Sequence, residues 1–268
     1  MTYAQLIENG WTRHAIRGAL ARGSLRRLAR GWYDAGGSSA DELTAAAAGG
    51  RIGCLTGLRD HGVWVPPTTH PHIIAPRWLP AGVTGVQHPL PRVAAWAPSS
   101  IRYDVVECLR QVLRHHDVET SLIVLESACN QRLVSTATVR ELIAECPIPV
   151  AEQLARFDPR SESGSETKVR LFLVRLGYPV RPQVFIPGVG RVDLLVGESL
   201  IIECDSHAHH TGETNYRVDR SRDLNATAGG YRVLRLAWEQ IFLTWAATQG
   251  LLLTHLRTRR YRQPPLAS

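Results

Sequence analysis

Leu6, Ile7, Trp11, Ile16 and Leu20 fall on one face at helical spacing, with Arg13, His14 and Arg17 on the other. That pattern predicts two short helices, Tyr3–Asn9 and Arg13–Arg22. Thr2 and Thr12 stand ready as N-caps, and Gly10 and Gly23 as terminators. Leu25–Leu28 and Gly31–Tyr33 then read as two short strands. The middle of the chain predicts an Ala-rich helix over Ala40–Gly50. Strands follow over His72–Ala75 and Val83–His88, framed by prolines. Amphipathic helices are expected over Asp104–His115, Glu119–Gln131 and Thr136–Glu145, the second capped by Asp117. Pro147, Pro149 and the polar run 158–164 mark a boundary. Beyond it the pattern predicts a helix (Ser165–Leu176), a hairpin (Gln183–Ile186 and Arg191–Val196) and an apolar strand (Ser199–Cys204). A helix (Arg217–Ala228), a strand (Tyr231–Leu236) and one long closing helix (Glu239–Arg259) complete it. The order α-β-β-β-α-β-α implies a mixed sheet with helices outside, hence an α/β (α+β) chain. Three regions are expected: 1–36, a mixed α/β and mostly helical connector over 37–157, and 158–268.

Composition narrows the class. The chain has 268 residues and is 44% hydrophobic, enough for substantial cores and against disorder as its main theme. No window approaches a membrane span, and the first residues lack the charge and apolar run of a signal peptide. Five cysteines are scattered without a C-x-x-C, so a reducing cytoplasm is the expected setting, with association to the nucleoid. His61, His70, His72, His88, His115 and His116 show no ligand spacing and read as loop or surface residues. The net charge is +7, and all but Lys168 of the 31 basic residues are arginine. Residues 1–33 hold six arginines against one glutamate, whereas 34–150 carry a slight acidic excess. A basic head on such a middle suits a polyanion partner.

Two helices, a tight turn and a basic hairpin make a winged helix-turn-helix. Arg13, His14 and Arg17 are then placed to meet the major groove of duplex DNA, and Arg26, Arg27 and Arg30 to meet phosphates from the wing. The stretch QLIENGWTRHAIRGALARGSLRRLARGWYDA resembles the winged domain of AbiEi-type antitoxins.

The C-terminal region carries the chemistry. Asp193 and Glu203 interrupt the apolar strands RVDLLV and LIIECD. A carboxylate there costs several kcal/mol unless it is paired or binds metal. Two on neighbouring strands suit a hard cation, Mg²⁺ or Mn²⁺, with the Cys204 backbone carbonyl as a further ligand and Glu166 able to join. Glu166, Asp193 and Glu203-Cys204-Asp205 resemble the skeleton of PD-(D/E)xK nucleases. Glu203, Asp205, His209, Asp219, Arg222, Asp223, Leu224, Gly230 and Val233-Leu234-Arg235 are similar to the motif string of proteins related to very-short-patch-repair endonucleases, with Ser206 where that family has glycine. The resemblance implies a restriction-endonuclease-like fold and metal-dependent phosphodiester hydrolysis. Asp205 stands where most of the superfamily has lysine, which leaves the general base unassigned.

In this reading Glu166, Asp193, Glu203, Asp205 and His209 form the catalytic set. His209 carries protons because an unperturbed imidazole titrates near 6.5. Lys168, Arg220 and Arg222 hold phosphate or the acids. The plainer readings are a Ser163–Glu166 capping box, a Glu203/Asp205 network with Arg220 and Arg222, and a zinc site at Cys204-x-x-His207-x-His209 with its ligands crowded. Two other functions stand beside the nuclease: a DNA-binding regulator of antitoxin type without catalysis, and an RNA-directed enzyme.

Overall fold

The computed structural model describes residues 1–29, 31–75, 82, 84–89, 100–205 and 222–266. These divide into two compact units, Met1–Asp117 and Val118–Ser268. The boundary therefore differs from the one expected at residue 157, and the helices after residue 117 belong with the C-terminal sheet.

In the first unit, α1 (Tyr3–Glu8) begins at a reciprocal Thr2/Gln5 capping box. α2 (Arg13–Ala21) begins where Thr12 accepts from the Ala15 amide. Gly10 and Gly23 follow them in the left-handed region that ends helices. β1 (Arg26–Ala29) pairs antiparallel with β2 (Trp32–Asp34). The N-terminus adds a further edge, since the Tyr33 amide donates to the Met1 carbonyl and Thr2 bridges to Trp32. Leu6, Ile16, Ala19 and Leu25 form the core of this head, while Ile7, expected in the stripe, is exposed.

The rest of the unit holds α3 (Ala40–Ala47), β3 (Arg51–Ile52), α4 (Cys54–Asp60), β4 (His72–Ile74), β5 (Val86–His88) and α5 (Val105–His115). β3 pairs antiparallel with β4, and β4 parallel with β5. The pattern of the sequence did not predict β3 or α4. One expectation is overturned here. His72 and His88 are not surface residues: they lie on β4 and β5 with 4% and 6% of their surface exposed.

The second unit begins with α6 (Val118–Asn130), α7 (Thr136–Ala144) and α8 (Ile148–Leu154). Pro147 and Pro149, expected to mark a boundary, open α8, where a missing amide proton costs nothing. Then come α9 (Gly164–Arg175), β6 (Val180–Ile186), β7 (Gly190–Val196), β8 (Leu200–Cys204), helical residues 222–228 (α10) and β9 (Arg232–Leu236). The expected single closing helix is two, α11 (Trp238–Phe242) and α12 (Trp245–Arg257), broken at Leu243-Thr244.

The strands run in the order β6-β7-β8-β9, antiparallel except for the parallel β8–β9 pair, so the sheet is mixed as expected. Leu194, Val196, Leu200, Ile202 and Cys204 pack with residues of α9, α11 and α12. Leu195 and Ile201 pack in a separate core with Ala226 of α10. The parallel return from β8 to β9 is made through α10, as a crossover requires.

A buried ion pair ties α6 to α9. Glu126 accepts from Arg170, from the Thr167 hydroxyl at 2.6 Å and from the Asp158 amide at 2.9 Å. Arg170 also donates to the Arg156 carbonyl at 3.0 Å and to the Ser161 hydroxyl at 3.2 Å. Among the described residues, no helix is long and apolar enough to cross a membrane.

Candidate active site

Three carboxylates meet where α9 approaches the centre of the sheet. Glu166 lies in the first turn of α9 and is 4% exposed. Its amide donates to the Ser163 hydroxyl at 3.1 Å, but its side chain does not return to Ser163 as a capping box demands. Instead Oε2 accepts from the Glu162 amide at 3.0 Å and from Gln183 Nε2 at 2.8 Å. The same Gln183 amide reaches Asp193 Oδ1 at 3.4 Å.

The strands supply the other two acids. β7 and β8 are in register at Leu194 and Ile202, which sets Asp193 and Glu203 opposite each other. Asp193 Oδ2 accepts from the Cys204 amide at 2.8 Å, and Glu203 Oε2 accepts from the Asp193 amide at 3.1 Å. Each acid thus holds the other's strand. The Cys204 peptide, expected to offer a carbonyl ligand, lies beside Asp193.

Burial makes this cluster a poor holder of negative charge. Burial, then the charge of Asp193, pushes Glu166 up to about 7 and Glu203 likewise up to about 7. Asp193 is also raised, chiefly by burial, against the pull of the Cys204 amide. A divalent cation would relieve all three. The donors are hard oxygens, so the set fits Mg²⁺ or Mn²⁺.

Gln183 is a residue that sequence reasoning missed. It sits in the left-handed region at φ 53°, in the middle of β6. Such a conformation costs about 1–3 kcal/mol and persists only where surroundings impose it. Here it accompanies the amide that joins Glu166 to Asp193.

The basic residues divide. Arg222 donates to the Val189 carbonyl at 2.9 Å and the Arg191 carbonyl at 2.6 Å, and stands 3.5 Å from Glu203. It braces the β6–β7 hairpin against the acid. Lys168 was expected to contact phosphate. Its ammonium is instead held by Glu119 at 2.5 Å, between the rings of Phe242 and Trp245. Asp205, at the end of β8, is half exposed. Among the described residues it stands 3.9 Å from Arg235, and Arg235 is held more closely by Asp223 at 2.7 Å. The charge of Asp205 nonetheless contributes to raising Asp193. His209, Arg220 and the His207 of the zinc alternative lie outside the described residues.

In the head, Arg13, His14, Arg17 and Arg27 are exposed. Arg26 is also exposed but donates to Asp34 at 2.8 Å, and Asp34 is buried. That hydrogen bond, seconded by Ser38, lowers Asp34 to about 2. Arg26 therefore ties β1 to β2 while remaining at the surface. Arg30 lies outside the described residues.

No protein-family model, curated protein or solved structure matches the chain.

Proposed function

We propose that the chain is a metal-dependent DNA endonuclease, with a DNA-binding head and a hydrolytic C-terminal unit. One observation carries the reading: Glu166, Asp193 and Glu203 converge, buried and reluctant to ionise, across a helix and two adjacent strands. The three acids meet one another, and Glu203 also pairs with Arg222 at 3.5 Å. Asp193 and Glu203 would hold Mg²⁺ or Mn²⁺, with Glu166 beside them. The cation supplies a more acidic water and neutralises charge on the scissile phosphate. Glu166 is raised to about 7 by burial and by Asp193 in the metal-free fold. Gln183 fixes its carboxylate toward Asp193 by donating to both. Arg222 keeps the hairpin that bears Asp193 in place. Arg13, His14, Arg17 and the wing arginines supply the electrostatic grip on duplex DNA.

The test is cleavage of supercoiled, nicked and mismatched DNA and of matched RNA, with Mg²⁺ or Mn²⁺. Metal-dependent cleavage of DNA by the wild type, with Glu203→Gln slower by about 10²–10³-fold, supports the proposal. Cleavage confined to RNA transfers it to the RNA-directed enzyme. A wild type no faster than Glu203→Gln on any substrate overturns it in favour of the antitoxin-type regulator. Asp205 stands in place of the usual lysine, but the family that the chain resembles also lacks that lysine, so the substitution does not exclude activity.

A further inference from the structure

We propose that Cys54, His72, His88 and His116 bind one thiophilic divalent cation, zinc above all, as a structural clamp within the N-terminal unit. One ligand atom from each of the four lies within 4.8 Å of the other three. His72 Nδ1 is 2.8 Å from His88 Nε2, and Cys54 Sγ is 3.2 Å from His116 Nε2. Around tetrahedral zinc, with bonds of about 2.0–2.3 Å, ligand atoms stand roughly 3.3–3.7 Å apart. The two close pairs need only open by a few tenths of an ångström. The widest possible pair closes by roughly 1–1.5 Å to meet the same geometry.

The donor set selects the ion. Three imidazoles and one thiol, with no carboxylate, suit zinc rather than Mg²⁺. Cys54, His72 and His88 are buried and His116 is half-buried, so the protein alone fills four positions. A closed four-ligand shell is the mark of a structural site.

The backbone is shaped around the thiol. Cys54 opens α4 at φ 50°, a left-handed conformation that a non-glycine residue adopts only under constraint. Gln111 Oε1 accepts from its amide at 2.7 Å, and an added Cβ at neighbouring Gly53 would lie 2.4 Å from that oxygen. The Thr56 hydroxyl, two residues beyond Cys54, accepts from the His72 amide at 2.8 Å. The ligands come from four segments: the start of α4, β4, β5 and the residue after α5. β3, β4 and β5 are two or three residues long. Strands so short gain most from an external tie.

Protonation favours loading. Burial lowers His72 to about 4 and His88 to about 3, so both are neutral at physiological pH; the proton between His72 Nδ1 and His88 Nε2 must pass to the other nitrogen of its ring before both atoms can ligate. Burial pushes Cys54 up to about 12. The thiol must therefore release its proton to solvent as the Sγ–metal bond forms, and the loaded site carries one net positive charge.

The experiment uses the full chain, purified without chelator from zinc-supplemented cells, with metal measured by mass spectrometry. The expected content is about one zinc per chain, falling to background in Cys54→Ser and His88→Ala. Cobalt substitution should add tetrahedral d–d bands and a thiolate-to-cobalt band in the near ultraviolet. If those variants fail to fold, the cobalt spectrum of the wild type and the zinc content of His116→Ala, at the half-buried position, decide. Asp193→Asn should keep its zinc, because the acidic cluster is a separate site. A wild type that takes up neither zinc nor cobalt overturns the proposal, as does undiminished zinc in folded Cys54 or His88 variants, or loss of zinc on Asp193→Asn.

Discussion

The acidic cluster of the C-terminal unit and the Cys/His cluster of the N-terminal unit are both buried sets of would-be ligands, built in opposite ways. Asp193 and Glu203 are cross-strand neighbours ten residues apart, and Glu166 is delivered by the adjoining helix. Cys54, His72, His88 and His116 come from four segments spread over more than sixty residues. Burial drives the two sets in opposite directions. It holds carboxylates protonated and imidazoles deprotonated, since in each case it opposes charge. The first set thus waits for a cation to remove repulsion. The second is already neutral at its nitrogens and needs a cation only to displace one thiol proton. Hard oxygen donors and soft nitrogen and sulfur donors then divide the metals between them.

The largest expected effect separates the two sets by metal. Mg²⁺ or Mn²⁺ at a hundred times its dissociation constant should stabilise the wild type by about 2.7 kcal/mol, read as a rise in Tm. Asp193→Asn should abolish that rise and cost about 10²–10³-fold in cleavage. The metal-free variant should melt at or above the wild type, because a repulsion is gone. A Tm response to Mg²⁺ that survives Asp193→Asn breaks the assignment of hard metal to this cluster.

A smaller effect is a pair of opposite pH slopes in the metal-stripped chain. Glu166 and Glu203 titrate near 7 in the fold against an ordinary 4.5. Their contribution is fully present below about pH 4.5 and is lost as pH rises through 7. His72 and His88 titrate near 4 and 3 against 6.5. Their contribution is present above pH 6.5 and is lost as pH falls toward 4. His115, His116 and Arg59 surround that pair and oppose its protonation further. Between pH 4.5 and 6.5, hydrogen-exchange protection, each rate taken relative to the intrinsic amide rate at that pH, should therefore rise on β7 and β8 as the medium is acidified, and fall on β4 and β5. Slopes of the same sign in both units would erase the contrast.

The smallest effect lies in the head. Arg13→Ala with Arg17→Ala should weaken duplex binding and flatten the salt dependence of log K by about two units if each arginine neutralises one phosphate. Titrations at several salt concentrations measure it. An unchanged slope removes these two residues from the DNA interface.

These contrasts also explain what the sequence made legible. Thr2, Thr12 and Ser163 cap helices by contacts within three residues, so local pattern reveals them. Asp193 and Glu203 were visible because a charge inside an alternating apolar run breaks a short-range rule. The Cys/His set breaks none. Its histidines sit in short strands and at a helix end, and only β4–β5 pairing and the turn at Cys54 bring them together. Helix α4 stayed hidden for a related reason, since Gly53 offers no side-chain cap and Cys54 is left-handed. Gln183 gave no signal because its importance lies in a backbone conformation. Lys168 was legible as a lone cation, but Glu119, forty-nine residues away, was not legible as its partner.

The Glu126–Arg170 pair bears on how this chain can be divided. A cut before residue 158, where polar composition invites one, would remove Glu126 and strand a guanidinium that is 5% exposed. The same cut would remove α6 and α8 and uncover the face of α9 that packs against α6. Such a fragment should melt below one beginning at Val118, whatever chemistry its sheet contains. A fragment beginning at Val118 would keep the pair and fold. The smallest autonomous form of the C-terminal unit is thus set by an arginine–glutamate contact on its helical side, outside the sheet that bears its acids.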